Sequence, residues 1–297
     1  MYYQKYCIGD FVFQIITEEI IQFPEFFQQF QVQDDTPEMC TYTLLLVKEL
    51  PEVLGECIAR REDIEIFREE NREIRRLRFA GDTKAYGLYR EIEENQIMCY
   101  VQREFQTFLG VDTVFMSLFA MEKQMLKENG MIFHCSVVRT EKNVLLFSGP
   151  SGIGKSTQAA LWEKYRDAEI INGDRTLLQW TEDGWYARGW PVCGSSGICR
   201  KESVRARAII FLRQDSSNYG RRLSGLAAVK NVVEQVTVNS WNRDGVQRVW
   251  ELAEKLIRSV PVYEYCCNQS KEAVKGLEDL LLDEECESFY DMTDFRN

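Results

Sequence analysis

Short apolar runs, broken by polar and glycine turns, fill the first part of this chain. β-Branched and apolar residues recur there at strand spacing, which predicts strands at Asp10–Thr17, Thr41–Val47, Ile64–Phe67, Ile74–Phe79, Ala85–Ile92 and Gln96–Gln102. Asn71-Arg72 and Glu94-Asn95 are candidate hairpin turns. A small, mostly antiparallel domain is expected over residues 1–125. Toward its end the period changes. Val114, Phe115, Leu118, Phe119 and Met125 recur at helical spacing, with Asp112 as the cap and Gly130 as the stop. This linking helix is expected to pack on both domains.

From Met131 strands and helices alternate. Strands are predicted at Ile132–Arg139, Asn143–Ser148, Glu169–Asn172, Thr176–Trp180, Trp185–Arg188, Ala206–Arg213 and Val262–Cys266. Helices are predicted at Ser156–Tyr165, Ser224–Val236, Asp244–Arg258 and Lys271–Asp283. The expected class is therefore α+β to α/β, with an α/β core bearing antiparallel additions over residues 126–297. The acidic tail after Asp283 is expected to be loosely held.

Composition narrows the setting. At 297 residues the chain can hold two domains, and 45% hydrophobic with 28% charged residues is ordinary for a globular protein. No run is long and apolar enough to span a bilayer, and Met1–Cys7 lacks the layout of a secretory signal. A cytoplasmic protein with no membrane partner is expected. The ten cysteines form no C-x-x-C pair and His134 is the single histidine, so neither a zinc site nor a disulfide framework is predicted. Cys266 and Cys267 read as small core residues. Residues 1–125 carry 13 basic against 23 acidic side chains, most of the net charge of −11. That half repels polyanions, which argues against nucleic acid as a partner.

The chemistry concentrates at Gly149–Thr157, which reads Gly-Pro-Ser-Gly-Ile-Gly-Lys-Ser-Thr. It fits the P-loop pattern G-x-x-x-x-G-K-[S/T], and it stands between the apolar run Val144–Phe147 and the helical stretch Gln158–Trp162. In such a loop the backbone around Gly149, Ser151, Gly152, Ile153, Gly154 and Thr157 wraps phosphates, helped by the positive end of the helix. Lys155 would reach the β- and γ-phosphates and the Ser156 hydroxyl would ligate Mg²⁺. A nucleoside triphosphate ligand follows. No Asn-Lys-x-Asp guanine-specificity segment occurs, so ATP is the expected nucleotide.

Just upstream stands Phe133-His134-Cys135-Ser136-Val137-Val138, and downstream Ile170-Ile171-Asn172-Gly173-Asp174. With the P-loop, and with Trp190–Ser196 followed by Ala208–Leu212, these segments resemble the phosphoenolpyruvate carboxykinase and HPr kinase superfamily. They look most like its small bacterial HPr-kinase-like members. The likeness spans residues 131–267 and does not extend to 1–110. It implies His134 near the metal and γ-phosphate, as proton shuttle, metal-shell group or phosphate contact. It also implies Asp174 as a metal ligand beside Ser156. The superfamily often carries two adjacent aspartates, the first proposed as base. Here Gly173 precedes Asp174 and Arg175 follows it, so one of the two roles lacks its residue. Asp174 serves both, or the base is His134 or an acid such as Glu202. Arg175 adds positive charge near the phosphates.

The basic excess over residues 200–222 offers further phosphate contacts, with Arg221 and Arg222 preferred because they directly precede a predicted helix. Cys193–Gly197 either lines an acceptor pocket or merely connects. The expected activity is Mg²⁺-assisted, ATP-dependent phosphoryl transfer to an alcohol. The acceptor is a serine of a peptide or a small molecule such as an amino acid or polyol. The alternative is a nucleotide-bound regulatory or scaffold protein with little turnover. A decarboxylating carboxykinase is disfavoured by the short chain, and oligomeric state is not legible.

Overall fold

The computed structural model describes residues 1–33, 36–141 and 143–293, with side chains through residue 282. The chain forms two compact units. One comprises Met1–Glu128 with Val238–Gly245, the other Asn129–Thr237 with the chain from Val246 on.

The first unit is built on nine strands: β1 (Tyr2–Ile8), β2 (Phe11–Thr17), β3 (Gln31–Val32), β4 (Cys40–Val47), β5 (Glu56–Arg60), β6 (Ile64–Glu69), β7 (Arg72–Arg78), β8 (Ala85–Glu93) and β9 (Gln96–Gln102). They make one sheet in the order β3-β1-β2-β4-β9-β8-β7-β6-β5. Among the described residues, the β2–β4 and β4–β9 pairings are parallel and the others antiparallel. All six expected strands are present; β1, β3 and β5 are additional. The first hairpin turns at Glu70-Asn71, because Glu69 pairs with Arg72. The second turns at Glu94-Asn95 as expected, with Asn95 at φ 61°.

The expected linking helix is two helices, α2 (Asp112–Leu118) and α3 (Met121–Lys127), after the short helix α1 (Glu25–Gln28). Ala120 breaks it in the left-handed region at φ 51°. The break is held from the sheet: Tyr42 donates its hydroxyl to the freed Phe119 carbonyl at 3.1 Å. The turn keeps Phe115 and Phe119 in an aromatic cluster, Phe115 against Phe27 at 4.4 Å and Phe119 against Tyr42 at 4.8 Å. Asp112 does not cap; it lies inside the first turn and accepts from the N–H of Thr113.

The second unit contains β10 (Gly130–Thr140), β11 (Asn143–Ser148), β12 (Glu169–Asn172), β13 (Arg175–Thr181), β14 (Gly184–Arg188), β15 (Ser203–Gln214), β16 (Tyr219–Leu223) and β17 (Val262–Cys267). Its helices are α4 (Lys155–Arg166), α5 (Gly225–Glu234), most of α6 (Arg243–Ile257) and α7 (Lys271–Thr293). The strand order is β11-β10-β13-β14-β15-β17-β16, and β11 also pairs in parallel with β15, so five strands close on themselves. α4 and α7 cover β11, β15 and β17 through Phe147, Trp162, Ile210, Tyr265 and Leu277. α7 continues beyond the expected end at Asp283, and residues 294–297 of the tail lie outside the described residues. The class is mixed α/β.

β10 lies between two partners. One edge pairs with β11 from Cys135↔Ser148 to Thr140↔Asn143. The other edge pairs with β12 at Val137↔Asn172, then with β13 from His134↔Arg175. Ile171 is the extra residue of a bulge between the Val137 and Val138 pairings. Among the described residues, nine cysteines are free thiols and no helix is long and apolar enough to cross a membrane.

The first unit also buries an arginine. Arg75 is 2% exposed, with Nε 2.5 Å from Glu73 and Nη1 2.6 Å from Glu122. Arg75→Met keeps most of the volume but leaves the Glu122 carboxylate without its cation and Glu73 with only Lys123, 3.7 Å away. We expect it to lose about 3–5 kcal/mol, read as a lowered urea midpoint. A loss below ~1 kcal/mol would mean that this cluster does not hold the unit together.

Candidate functional site

After β11 the chain turns through Gly149, Gly152 and Gly154, with φ of 134°, 78° and 112°, values that residues with a Cβ rarely adopt. α4 begins at Lys155 with no side-chain cap at its N-terminus. The first N–H groups of a helix have no partner within it, and the first residues of α4, Lys155–Thr157, line the cavity beside the loop. That cavity measures about 290 Å³ and is lined by Ser151, Gly152, Gly154–Thr157, His134, Gly173, Asp174, Ser195 and Ser196. Lys155 is buried, its ammonium donating to the carbonyls of Gly149 at 3.0 Å and Pro150 at 3.1 Å. Burial lowers its pKa from the usual lysine range, and the Asp174 carboxylate opposes that shift.

His134 and Asp174 meet because β10 pairs with an interrupted strand. Between β12 and β13, Cys135 N–H still donates to the Asp174 carbonyl at 3.0 Å, and the Ser136 hydroxyl donates to the Gly173 carbonyl at 3.0 Å. Buried Asn172 shapes the interruption. Its carbonyl oxygen accepts the N–H groups of Asp174 and Arg175, both at 3.1 Å, while its amide donates to Trp190 O at 2.9 Å. The Asp174 side chain reaches His134, with Nε2 to Oδ1 at 3.5 Å. Arg175 Nε lies 3.2 Å from the other carboxylate oxygen. The hydrogen-bonding contact with His134 lowers the Asp174 pKa, burial opposes it, and Arg175 lowers it further. On the other edge the Ser148 hydroxyl donates to the His134 carbonyl at 2.8 Å, fixing β11 and its loop to the same residue.

One cavity thus contains Ser151, Gly152, Gly154, Lys155, Ser156, Thr157, His134 and Asp174 of the expected site. Gly149 starts the loop, and Ile153 packs into the core beneath it. Arg222 does not line the cavity. It lies on edge strand β16 opposite Tyr263, where a loop before α5 was expected. The neighbouring arginines are paired with acids. Arg213 and Arg221 share Glu264, at 3.2 and 2.9 Å, and Arg200 bonds Glu169. Glu202 pairs with Arg139 and does not line the cavity. Sequence reasoning gave no role to Asn172, Ser136 or Ser148. An asparagine directly before Gly-Asp was the available signal for the first; the two serines depend on strand pairing.

Gly173 has a steric reason to lack a side chain. A Cβ there would lie 2.0 Å from Ser196 Oγ and 2.4 Å from Ser196 Cβ. The turn Gly194–Ser196 therefore fills the space that a second acid would take. Gly194 also lies close to Asp174, where a Cβ would stand 3.0 Å from the aspartate Cβ, a tight but milder contact. Chemically, the cavity combines the N-terminus of α4, an ammonium, hydroxyls and one histidine-linked carboxylate, a set suited to an anion.

No family model and no curated protein matches this chain. Among solved structures, the HPr(Ser) kinase/phosphatase from Coxiella burnetii is similar at 14% identity, over 56% of this chain and 98% of that one, with a TM-score of 0.33. This is a distant, partial structural likeness.

Gly173→Asp should displace the Ser196 turn and cost about 1–3 kcal/mol in chemical denaturation, as overpacking does. Ser196→Gly in the same chain should recover most of that loss, giving a coupling energy of about 1 kcal/mol or more. Additive effects of the two substitutions would mean that Ser196 does not bar an acid at 173.

Proposed function

We propose that this chain is an ATP-dependent phosphotransferase of the HPr-kinase-like kind, acting with Mg²⁺ on an alcohol hydroxyl. The observation that carries the reading is the single cavity shared by Lys155 and Ser156 with His134 and Asp174. Phosphoryl transfer asks a protein for positioning and charge neutralisation, and these residues supply both. The Ser156 hydroxyl and the Asp174 carboxylate are hard oxygen donors few in number, the set that fits a cation keeping most of its waters. When bound, Mg²⁺ neutralises charge on the β- and γ-phosphoryl oxygens.

The loop N–H groups and the α4 N-terminus hold the phosphates, and Lys155 leaves its two carbonyls for the β- and γ-oxygens. Asp174 accepts the acceptor's proton. His134 orients the carboxylate and shares the proton, while Arg175 keeps the aspartate ionised and offers charge to the transferring group. A weak base suffices because little bond formation to the acceptor has occurred at a loose transition state. The second reading, a nucleotide-bound regulator, is favoured by one observation: Gly173 leaves a single carboxylate where two acids serve two tasks in the superfamily.

The test is ADP formation with Mg²⁺ against small alcohols, free amino acids and serine peptides. Acceptor-stimulated turnover with phosphate on the acceptor hydroxyl is expected. Tight ATP binding with slow turnover that no acceptor stimulates would favour the regulator. Lys155→Ala should cut transfer about 10²–10³-fold, the effect of removing one transition-state charge donor. Undiminished turnover would remove the loop from the chemistry.

The pH dependence is also specified. The folded Asp174 pKa lies below its ordinary 3.8, so its carboxylate stabilises the fold above that value. This contribution is lost as pH falls through the depressed value. His134→Gln removes the largest lowering contact, so the acid limb of ATP consumption should move to higher pH. An unmoved acid limb would separate His134 from Asp174 in function.

A further inference from the structure

The cavity contains hydroxyls of two kinds. Ser151, Ser156 and Thr157 belong to the loop that wraps the phosphates, whereas Ser195 and Ser196 enter from the turn after Cys193. Ser196 is committed: its Oγ donates to Cys193 O at 2.6 Å and accepts the Ile198 N–H at 3.2 Å. Ser195 is exposed, and its hydroxyl makes no hydrogen bond to another described residue. The residue before it is pressed against the carboxylate. A Cβ on Gly194 would stand 3.3 Å from Asp174 Oδ1, so the backbone passes close to the carboxylate one residue before Ser195, and Ser195 and Asp174 line the same cavity. Gly194 and Gly197 bracket the two serines at φ 57° and 64°. Glycine adopts that region without strain, which lets the chain turn sharply on both sides of the two serines.

We propose that Ser195 is an internal phosphoryl acceptor, so that the chain phosphorylates itself when no other alcohol fills the cavity. This rests on the phosphotransferase reading above. The step balances with ATP as donor. Ser195 Oγ gives its proton to the Asp174 carboxylate and forms a bond to the γ-phosphorus. The bond from that phosphorus to the β,γ-bridging oxygen breaks, and ADP leaves. The product is a phosphoserine of charge about −1.5 to −2 beside Asp174. Two anions then face the same phosphate-binding loop, so the modified chain binds ATP more weakly. Self-phosphorylation is thereby an off-switch that an external acceptor prevents by occupying the place of Ser195.

The experiment incubates the full chain with γ-labelled ATP and Mg²⁺ without acceptor, maps phosphate by peptide mass spectrometry, and measures ATP binding by equilibrium dialysis. The expected result is phosphoserine at Ser195, formed at a rate per molecule that does not depend on protein concentration. It should be absent in Ser195→Ala and in Asp174→Asn and present in Ser195→Thr. The modified protein should bind ATP several-fold more weakly. ATP bound and transferred to an external alcohol with Ser195 unmodified would overturn this proposal alone. Modification at a rate proportional to protein concentration would overturn the internal transfer. Failure to bind ATP at all would overturn both this proposal and the reading beneath it.

Discussion

The site depends on one strand pairing. β10 carries His134, Cys135 and Ser136 in succession, and each ties down a different piece of the second unit. The His134 carbonyl holds the Ser148 hydroxyl at the mouth of the glycine loop. The Cys135 N–H and the Ser136 hydroxyl hold the carbonyls of Asp174 and Gly173 across the opposite edge. A strand has two edges, and here one edge fixes the loop while the other fixes the carboxylate. The distance between them is therefore set by the spacing of two strands from a common neighbour. The break at Gly173-Asp174 supplies the last element: the register is the same on either side of it, Val137↔Asn172 and His134↔Arg175, but these two residues leave the strand between β12 and β13. With an uninterrupted ladder, Asp174 would face away from its diagonal neighbour His134.

Charge is sorted around this frame. Three cations of the basic stretch 200–222 face acids of neighbouring strands: Glu169 takes Arg200 together with Arg139 of β10, and Glu264 takes Arg213 and Arg221. Exposed pairs of this kind contribute about 0–1 kcal/mol each, so their effect on stability is small. Their electrostatic consequence is larger, because neutralised arginines do not compete for an incoming anion. The charges that remain directed at the cavity are those of Lys155, Asp174 and, beside it, Arg175. In a chain of net charge −11, an anionic ligand has few other places to be held.

Much of the second unit could be read in sequence because its signals are local. The loop Gly149–Thr157 spells its own geometry, with three glycines at positive φ and an apolar strand in front. The missed elements are those whose pattern is made elsewhere. β16, Tyr219–Leu223, has two arginines and a glycine and exists because β17 offers it an edge. The break at Ala120 has no propensity signal at all; it follows from Tyr42, far away in sequence, capturing the Phe119 carbonyl. The proximity of His134 to Asp174 was expected only through resemblance, since forty residues separate them and nothing local links the two. The arginines of the basic stretch are outside the cavity lining for a related reason. Sequence shows how many there are, whereas their partners lie on strands that only the fold brings alongside.

Gly173 shows how the same residue changes meaning once space is included. Beside Asp174 in sequence it reads as a missing acid. In the fold it is the room required by Ser196, just as Gly194 is the room required by Asp174. The two glycines allow the hydroxyl-bearing turn to lie against the carboxylate with no side chain intervening. A second acid would push that turn away and add like charge beside the first, which raises the pKa of one of the pair. A lone carboxylate, lowered by His134 and Arg175, stays ionised and accessible from the turn. The site therefore lacks an acid for the same steric reason that it has serines at its wall.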